Sequence, residues 1–337
     1  MLRSGVIKVE YSFIYFFAAL AIVFLLTVLT LRVIIPKLKS HKMGQKILDI
    51  GPRWHKSKEG TPTMGGISFI LASIVVVLLA VAAEFVFSIG IDPWLVLLTY
   101  GYALLNGLIG LLDDYVKFFK KQNEGLKAYQ KYFLQLVSAG AYLFFMNQLG
   151  YITTALPIPF TDIVIELHGF YYFFAIILLT GMANSVNLTD GIDGLAATVS
   201  AAVGAFFAVA AFTLGNFGGV ILSAVLIGGC LGFLTYNFYP AKIFMGDTGS
   251  LFLGGFVGGF AFMINNPLII VLAGLMYIVE TLSVILQVAS FKLTGKRIFK
   301  MSPIHHHFEK CGWSEIKIVS VFGILTVIFC VISYFGV

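Results

Sequence analysis

Acidic side chains stand at the ends of long apolar stretches in this chain, which otherwise contains little charge. Asp113 and Asp114 are adjacent in LLDDYVK, at the end of one such stretch. Neighbouring carboxylates that are partly removed from water repel each other and need a cation, and the negative end of a helix dipole adds to the cost. Lys117, one turn further on, could be that cation, and a helix end that simply reaches water is the alternative. We interpret the pair as a site for a divalent metal or a proton acceptor.

Asp247 precedes another apolar stretch, in FMGDTGS. Its flanking glycines permit close approach of a ligand to the backbone, and the free N–H groups at the start of a helix favour phosphate oxygens. An ordinary helix cap by Thr248 or Ser250 is the simpler alternative. Asp247 is therefore a candidate for phosphate or metal binding, on a signal that is weak by itself.

The stretch NSVNLTDGIDGL carries a polar side chain at every third residue. These side chains are Asn184, Asn187, Asp190 and Asp193. Spacing of three places them on one face if the segment is helical, although Gly191 and Gly194 are expected to open a turn. Asp193 alone could merely cap the next helix. All four residues together indicate a binding surface.

Two further polar features lie near the end of the chain. His305, His306 and His307 are consecutive, so they cannot all face one metal from a regular helix. Contacts with phosphate or a nucleobase, or the orientation of neighbouring groups, are expected, and a solvated polar loop is the alternative. Glu280 lies inside an apolar run, where a carboxylate is a functional candidate by default. A bond to a neighbouring helix explains Glu280 equally well.

Membrane-spanning helices must position these groups. The chain of 337 residues is 59% hydrophobic and 11% charged, with a mean hydropathy of +0.96, whereas soluble domains contain about 25% charged residues. Its apolar runs have the length of membrane helices, and they lack the alternation of a β-barrel. We expect an all-α polytopic membrane protein that forms one integral membrane domain over residues 1–337. Ten spans are predicted, at approximately 12–35, 64–86, 94–112, 132–150, 169–186, 194–213, 219–236, 250–264, 267–290 and 316–335.

The basic residues predict the orientation of these spans. With ten spans, 20 of the 22 Lys and Arg residues fall on one side, in segments 32–63, 113–131, 237–249 and 291–317, and only Arg3 and Lys8 fall opposite. Cytoplasmic loops are rich in Lys and Arg, so that side is cytoplasmic and both termini are external. The polar clusters all lie in the cytoplasmic segments, which predicts an active site at that face.

These motifs together resemble the polyprenyl-phosphate N-acetylhexosamine-1-phosphate transferases. The resemblance rests on KEGTPTMGG, DDYVK, NLTDGIDGL, NFYPAKIFMGDTGS and PIHHHFE, which follow the family's order over about residues 56–309. The triple histidine is similar to that of the branch which uses UDP-MurNAc-pentapeptide, because the wider family shares the acidic motifs but not this triplet.

The resemblance implies a Mg²⁺-dependent enzyme of the bacterial cytoplasmic membrane that acts in peptidoglycan synthesis. Undecaprenyl phosphate would attack the sugar-linked phosphate of UDP-MurNAc-pentapeptide, giving lipid I and UMP. The resemblance also implies a homodimer, and no nucleic-acid partner is expected. Carried over by motif, the catalytic residues are Asp113, Asp114, Asp247 and His305, with Asp247 as the magnesium ligand. The substrate-binding residues are Lys58, Thr63, Lys117, Lys121, Asn187, Asp190, Asp193, Phe244, Gln287, His306 and His307. Among them Phe244 is expected to stack on uracil, Asp193 to face the uridine and Asp190 to lie nearer the phosphates.

Three other functions would explain parts of this pattern. A sister transferase that uses UDP-GlcNAc would share the scaffold, but the triple histidine argues against it. A transporter or flippase with Glu280 as the coupling residue would usually show inverted repeats and broken midplane helices, and no repeat is visible here. A structural scaffold leaves the one-sided polar clusters unexplained.

Overall fold

The computed structural model describes residues 2–40, 58–120 and 124–337, and helices dominate these ranges, which confirms the predicted all-α membrane fold. The elements are α1 (Leu2–Ser40), α2 (Ile67–Phe87), α3 (Pro93–Lys120), α4 (Ala128–Gln148), β1 (Ala155–Pro157), β2 (Val164–Glu166), α5 (Phe170–Thr189), α6 (Leu195–Thr213), α7 (Phe217–Asn237), α8 (Gly246–Met263), α9 (Ile269–Ala273), α10 (Leu275–Thr294), α11 (Ile304–Lys310) and α12 (Glu315–Tyr334).

Each of the ten predicted spans coincides with helical residues. Within the described ranges, eight helices are long and apolar enough to cross a membrane, judged by length and composition. α4 and α8 are not among the eight: α4 carries Lys131 and several amide side chains, and α8 begins with Asp247 and is rich in glycine. α8 needs no apolar face toward lipid, because every residue from Thr248 to Met263 is buried. The number of crossings and the side of each terminus stay predictions.

α8 lies inside the bundle and packs against α3 and α5. The contact with α3 is close because Gly110 has no side chain; a Cβ there would overlap the backbone carbonyl of Asp247. This approach brings the end of α3 against the start of α8, where the acidic residues of both helices lie.

Three local features differ from the predicted elements. α3 continues to Lys120, so the acidic pair that the sequence placed after a span lies within a helix. The predicted span 267–290 is divided at Gly274 into α9 and α10. The segment 151–168, which separates two of the predicted spans, contains the antiparallel strands β1 and β2.

Helix ends that are distant in sequence meet at one end of the bundle. Asp247 at the start of α8 contacts Lys117 near the end of α3, Lys131 near the start of α4, and Asn187 near the end of α5. The polar segments that the sequence assigned to one face are therefore joined by direct contacts.

Candidate functional site

Asp247 receives hydrogen bonds from three other helices. Lys117 Nζ and Lys131 Nζ lie 2.8 and 2.9 Å from its Oδ2 atom, and Asn187 Nδ2 donates to its Oδ1 atom at 2.9 Å. Asn187 Nδ2 also donates to Ser250 Oγ at 2.8 Å. The Asp247 carboxylate is thus the point at which α3, α4, α5 and α8 are joined.

The environment of Asp114 explains why an acidic residue is tolerated near the negative end of a helix. Its Oδ1 atom accepts the backbone N–H of Asp247 at 3.2 Å, and its Oδ2 atom accepts the N–H and the hydroxyl of Thr248 at 2.9 and 2.7 Å. Asp114 therefore lies against the first turn of α8, whose unpaired N–H groups and positive dipole end stabilise a carboxylate. These two N–H groups, expected to favour phosphate oxygens, donate to Asp114 instead.

Asp113 has a separate set of partners. Its Oδ2 atom lies 2.7 Å from Lys117 Nζ, and its Oδ1 atom accepts the backbone N–H of Leu126 at 2.8 Å. Asp113 and Asp114 are only 3% and 5% exposed, so the alternative of a helix end that simply reaches water does not apply.

Asp113, Asp114 and Asp247 form what we call the aspartate cluster. Each offers a carboxylate oxygen, and these oxygens lie within 4.8 Å of one another. Among the residues that the structure describes, this is the only group of three or more His, Cys, Asp or Glu side chains close enough to hold a metal ion. Carboxylate oxygens are the ligands that Mg²⁺ prefers, so the donor set fits that ion.

The turn of residues 190–193 follows α5 and lies beside the aspartate cluster. Gly194, with a φ of +81°, ends the turn directly before α6, which agrees with the turn predicted from the two glycines. Over the described residues, the half-buried Asp190 carboxylate has no hydrogen-bond or ion-pair partner. Burial raises the pKa of the Asp190 carboxyl well above its usual range, and the charges of Asp247, Asp114 and Asp193 raise it further.

A second polar group joins the far end of this turn to α12. Lys58 Nζ lies 2.7 Å from Asp193 Oδ1 and 2.6 Å from the Glu315 carboxylate. Asp193 Oδ2 accepts the N–H of Ala241 at 2.9 Å, and the N–H of Asp193 donates to Glu315 at 3.0 Å. The structure does not use Asp193 as a side-chain cap of α6. One lysine therefore lies between two acids at this position.

Thr63 and Phe244 belong to two segments that pair with each other through their backbones. The backbone of Phe244 pairs with the 62–65 segment through two hydrogen bonds of 2.8 Å. The ring of Phe244 is partly exposed, as a stacking residue must be. Thr63 Oγ1 lies beside Gly246, as does Asp114 Oδ2. Both residues are therefore close to the start of α8.

His305 is the most enclosed of the three histidines on α11. Its side chain and that of Glu280 on α10 are both fully buried, and its Nδ1 atom lies 3.0 Å from Glu280 Oε2. The alternative of a solvated polar loop does not apply to His305. Glu280, for which a functional role and a helix contact were equally plausible, makes a contact with this histidine.

The other two histidines have different partners. His306 Nδ1 lies 2.6 Å from Glu309 Oε2, and His307 Nδ1 accepts the backbone N–H of Lys300 at 3.1 Å. The three histidines therefore have different partners, as expected for successive residues of a helix, while the rings of His305 and His306 are in contact, with centroids 4.1 Å apart.

Three predicted polar residues fall outside the groups described so far. The Gln287 amide accepts the N–H groups of residues 298 and 299 at 3.0 and 2.9 Å, so it holds the loop after α10; a contact with the nucleotide stays a prediction. Lys121 lies outside the described residues. The Asn184 amide donates to Gln135 on α4 at 2.7 Å, so Asn184 does not share the partners of Asn187.

Sequence reasoning missed Lys131 and Glu315 as members of the site. Lys131 counted only as a basic residue that indicates the cytoplasmic side, and Glu315 follows an ordinary cap by Ser314. Three neighbouring carboxylates need more than one cation, and this requirement could have pointed to Lys131. No local pattern distinguishes Glu315, because its role depends on where α12 begins relative to the 190–193 turn.

The arrangement provides oxygen ligands for a hard cation and two ammonium groups at the same carboxylate. Fixed positive charge of this kind stabilises phosphate oxygens as charge shifts during phosphoryl transfer. The unpartnered Asp190 and the Lys58 group extend the polar surface along the 190–193 turn.

Comparisons with known proteins agree with that chemistry. The sequence family described as Glycosyl transferase family 4 matches residues 94–265. The phospho-N-acetylmuramoyl-pentapeptide-transferase of Clostridium novyi (strain NT) is 46% identical over 93% of this chain and 94% of its own length. Proteins of the same name from Clostridium perfringens (strain SM101 / Type A) and Staphylococcus carnosus (strain TM300) are 47% and 45% identical. The first covers 94% of this chain and 95% of its own length, and the second covers 91% and 94%.

Proposed function

This chain belongs to the phospho-N-acetylmuramoyl-pentapeptide transferases, and we propose that its aspartate cluster and the adjacent lysines carry out the transfer. The protein is a multi-pass membrane enzyme that transfers a phospho-sugar, and it makes lipid I for bacterial peptidoglycan. The observation that supports our assignment of the site is the meeting of three carboxylates within 4.8 Å, with Lys117 and Lys131 at Asp247.

The proposed substrates are UDP-MurNAc-pentapeptide and undecaprenyl phosphate. An oxygen of the lipid phosphate attacks the phosphorus that carries the sugar, and the bond from that phosphorus to UMP breaks, so that UMP leaves with the electron pair. A phosphate monoester has a second pKa of ~6 and is mostly a dianion at neutral pH. A general base therefore contributes little, and the main barrier is the repulsion between the dianion and the diphosphate.

Lys117 and Lys131 are proposed to reduce this repulsion. Both ammonium groups converge on one oxygen of Asp247, so they place two positive charges at one side of the site. Because Lys131 is largely buried and Lys117 is partly buried, their field is less screened than that of fully exposed lysines. Lys58, which lies between Asp193 and Glu315, is proposed to bind the nucleotide half of the substrate.

Mg²⁺ is the proposed cofactor, and Asp247 is the residue proposed to hold it. When bound, the ion supplies Lewis-acid stabilisation of the phosphate charges. The fit rests on the three oxygen donors of the aspartate cluster and on the nearby carboxylate of Asp190, which has no partner among the residues that the structure describes.

Asp113 and Asp114 are proposed to position groups instead of forming a covalent intermediate. The oxygens of Asp114 accept three hydrogen bonds from the first turn of α8, and those of Asp113 are bonded to Lys117 and Leu126. Carboxylates with these partners are held in place and are poor nucleophiles. We therefore favour a single direct displacement by the lipid phosphate.

The nucleotide is proposed to bind along the 190–193 turn, with Phe244 against the uracil, Asp193 toward the uridine and Asp190 nearer the phosphates. The partly exposed ring of Phe244 and the closeness of Asp190 to Asp247 support this order.

Radiolabel transfer from UDP-MurNAc-pentapeptide to undecaprenyl phosphate tests the proposal. Label is expected in the lipid with Mg²⁺ and not with a chelator, and UDP-GlcNAc offered in parallel is expected to give none. Asp247→Asn should abolish transfer while the protein stays folded by its melting profile. Full activity of that variant would remove the metal assignment, and a labelled phospho-sugar adduct on the protein without lipid acceptor would remove the direct displacement.

The homodimer implied by the family resemblance is likewise a proposal. The mass of the protein in a detergent micelle, measured by light scattering, is the direct check.

A further inference from the structure

Glu280 and His305 form a buried polar contact between α10 and α11. Both side chains are fully buried, with Glu280 Oε2 lying 3.0 Å from His305 Nδ1 and 3.5 Å from the backbone nitrogen of His305. Over the described residues, Glu280 Oε1 and both ring nitrogens of His305 lack a hydrogen bond of good geometry, so the approach of Nδ1 to Oε2 is a charge contact. An apolar pair of this shape would avoid the cost of burying a carboxylate, so the pair calls for a function other than stability.

The Glu280 carboxylate biases the position of the proton on the imidazole by electrostatic attraction. A carboxylate oxygen at this distance favours a proton on Nδ1, and a neutral ring then leaves Nε2 as an acceptor. The ring is also packed at 4.1 Å against that of His306. Its orientation is thus restrained from two sides.

The opposite edge of the His305 ring lies against the 190–193 turn. A Cβ on Gly191 would overlap His305 Nε2 and the adjoining carbon atom, so the ring contacts the backbone of this residue. Asp190 and Asp193 lie on either side of Gly191 in this turn. Asp190 is next to the aspartate cluster, and Asp193 bonds Lys58. Any rotation of the ring therefore shifts or releases the turn that carries both aspartates.

We propose that Glu280 is a positioning residue, which holds the His305 ring against Gly191 and so sets the 190–193 turn for the nucleotide substrate. His305 itself acts in the same way: its ring is fully enclosed, so it reaches the substrate through the turn and not directly. This inference rests on the proposed function, because it assumes that the turn binds the nucleotide sugar.

Steady-state kinetics separate positioning from a merely structural contact. Glu280→Ala is expected to raise KM for UDP-MurNAc-pentapeptide and to lower kcat/KM by roughly 10- to 100-fold, the range found for groups that orient metal-binding histidines. KM for undecaprenyl phosphate should not change. A contact that only joins two helices would reduce the folded fraction, which lowers apparent kcat and leaves both KM values as they are. Glu280→Gln, which keeps an oxygen for the Nδ1 proton, is expected to restore most of the activity.

A double-mutant cycle tests whether Glu280 acts through His305. In a His305→Ala background, Glu280→Ala is expected to add no further loss, and Gly191→Ala, which has lost its collision with the ring, should also add little. Additive losses would overturn the proposal. Thr281→Val is the matched control: it lies next on α10 and loses a hydrogen bond of 2.8 Å to Ser185 on α5, and it should retain wild-type kinetics.

Ring ¹⁵N spectra of histidine-labelled protein give a readout that does not depend on transfer. His305, assigned by loss of its signals in His305→Ala, should show the Nδ1–H tautomer in the wild type, in Glu280→Gln and in Thr281→Val. The tautomer should be lost in Glu280→Ala, and an unchanged tautomer there would overturn the inference. Absence of transfer by the wild type would instead refute the proposed function, leaving the tautomer result to be judged separately.

Discussion

Replacement of Asp114 by asparagine tests whether this side chain anchors the start of α8. The carboxylate is 5% exposed and accepts three hydrogen bonds, from the N–H of Asp247 and from the N–H and hydroxyl of Thr248. An asparagine oxygen can keep the two bonds from Thr248. Its NH₂ group would then face the N–H of Asp247, so that one bond is lost and two donors are opposed.

The size of the effect follows from these bonds. Three hydrogen bonds to a charged acceptor contribute about 2 kcal/mol each, and two bonds to a neutral acceptor about 1 kcal/mol each, which leaves a loss of about 4 kcal/mol. Removal of a charge near Asp247 relieves repulsion, part of which is cancelled by the lost attraction to Lys117 Nζ at 3.6 Å, so that about 1–2 kcal/mol of the loss is offset. The free energy of unfolding should therefore fall by about 2–3 kcal/mol, which for a chain longer than 250 residues lowers the melting temperature by about 4–6 °C.

Thermal unfolding in detergent measures this change, with Asp113→Asn as the matched control. Asp113 accepts no backbone N–H from α8, although its carboxyl group interacts with that of Asp247. It accepts one backbone N–H, from Leu126, and pairs with Lys117, which is 31% exposed. Its replacement should cost about 1 kcal/mol, since a partly exposed pair contributes little. Both variants should lose transferase activity, so stability is the discriminating quantity. A wild-type melting temperature for Asp114→Asn, or a larger loss for Asp113→Asn, would refute the reasoning.

Two other predictions concern charge in the site. Lys131→Met removes one of the two cations at Asp247 and should lower kcat by about 10²-fold, the effect of losing one transition-state donor; Lys127→Met, whose ammonium group lies over the Tyr129 ring, should retain activity in the same assay, and equal losses would contradict the assignment. The pKa of the Asp190 carboxyl is raised by burial and by neighbouring acids, so its contribution to stability is complete below its unfolded pKa of about 4 and is lost as the pH rises through the folded value. In the presence of a chelator, the melting temperature should therefore decrease as the pH increases through this range. Asp190→Asn should make the melting temperature less dependent on pH. The same pH dependence in this variant and in the wild type would show that the carboxyl titrates normally.

Much of the fold could be predicted because it depends on properties that are local in sequence. An apolar run of about 20 residues can satisfy its backbone hydrogen bonds in a membrane only as a helix, so the ten spans coincide with helices. Spacing and composition also predicted that Asn187, Asp190, Asp193 and Asp247 lie at the ends of such helices. The structure puts Asn187 and Asp247 in direct contact.

Partners that belong to different helices were beyond such reasoning. Lys131 and Glu315 carry no motif of their own, and each joins the site because of where its helix starts. Asn184 shares the three-residue spacing of Asn187, yet the packing of α5 against α4 turns it to Gln135.

Composition and motifs are enough to identify this protein as a helical membrane protein with acids, lysines and histidines suited to phosphate chemistry. Which of these side chains meet depends on how the helices pack. Asp114 is the clearest case: from the sequence it lies at the unfavourable end of α3, and in the fold it lies at the favourable end of α8. The reason is physical, since the energy of a buried charge depends on the donors and dipoles that surround it in space, and these come from helices more than one hundred residues away.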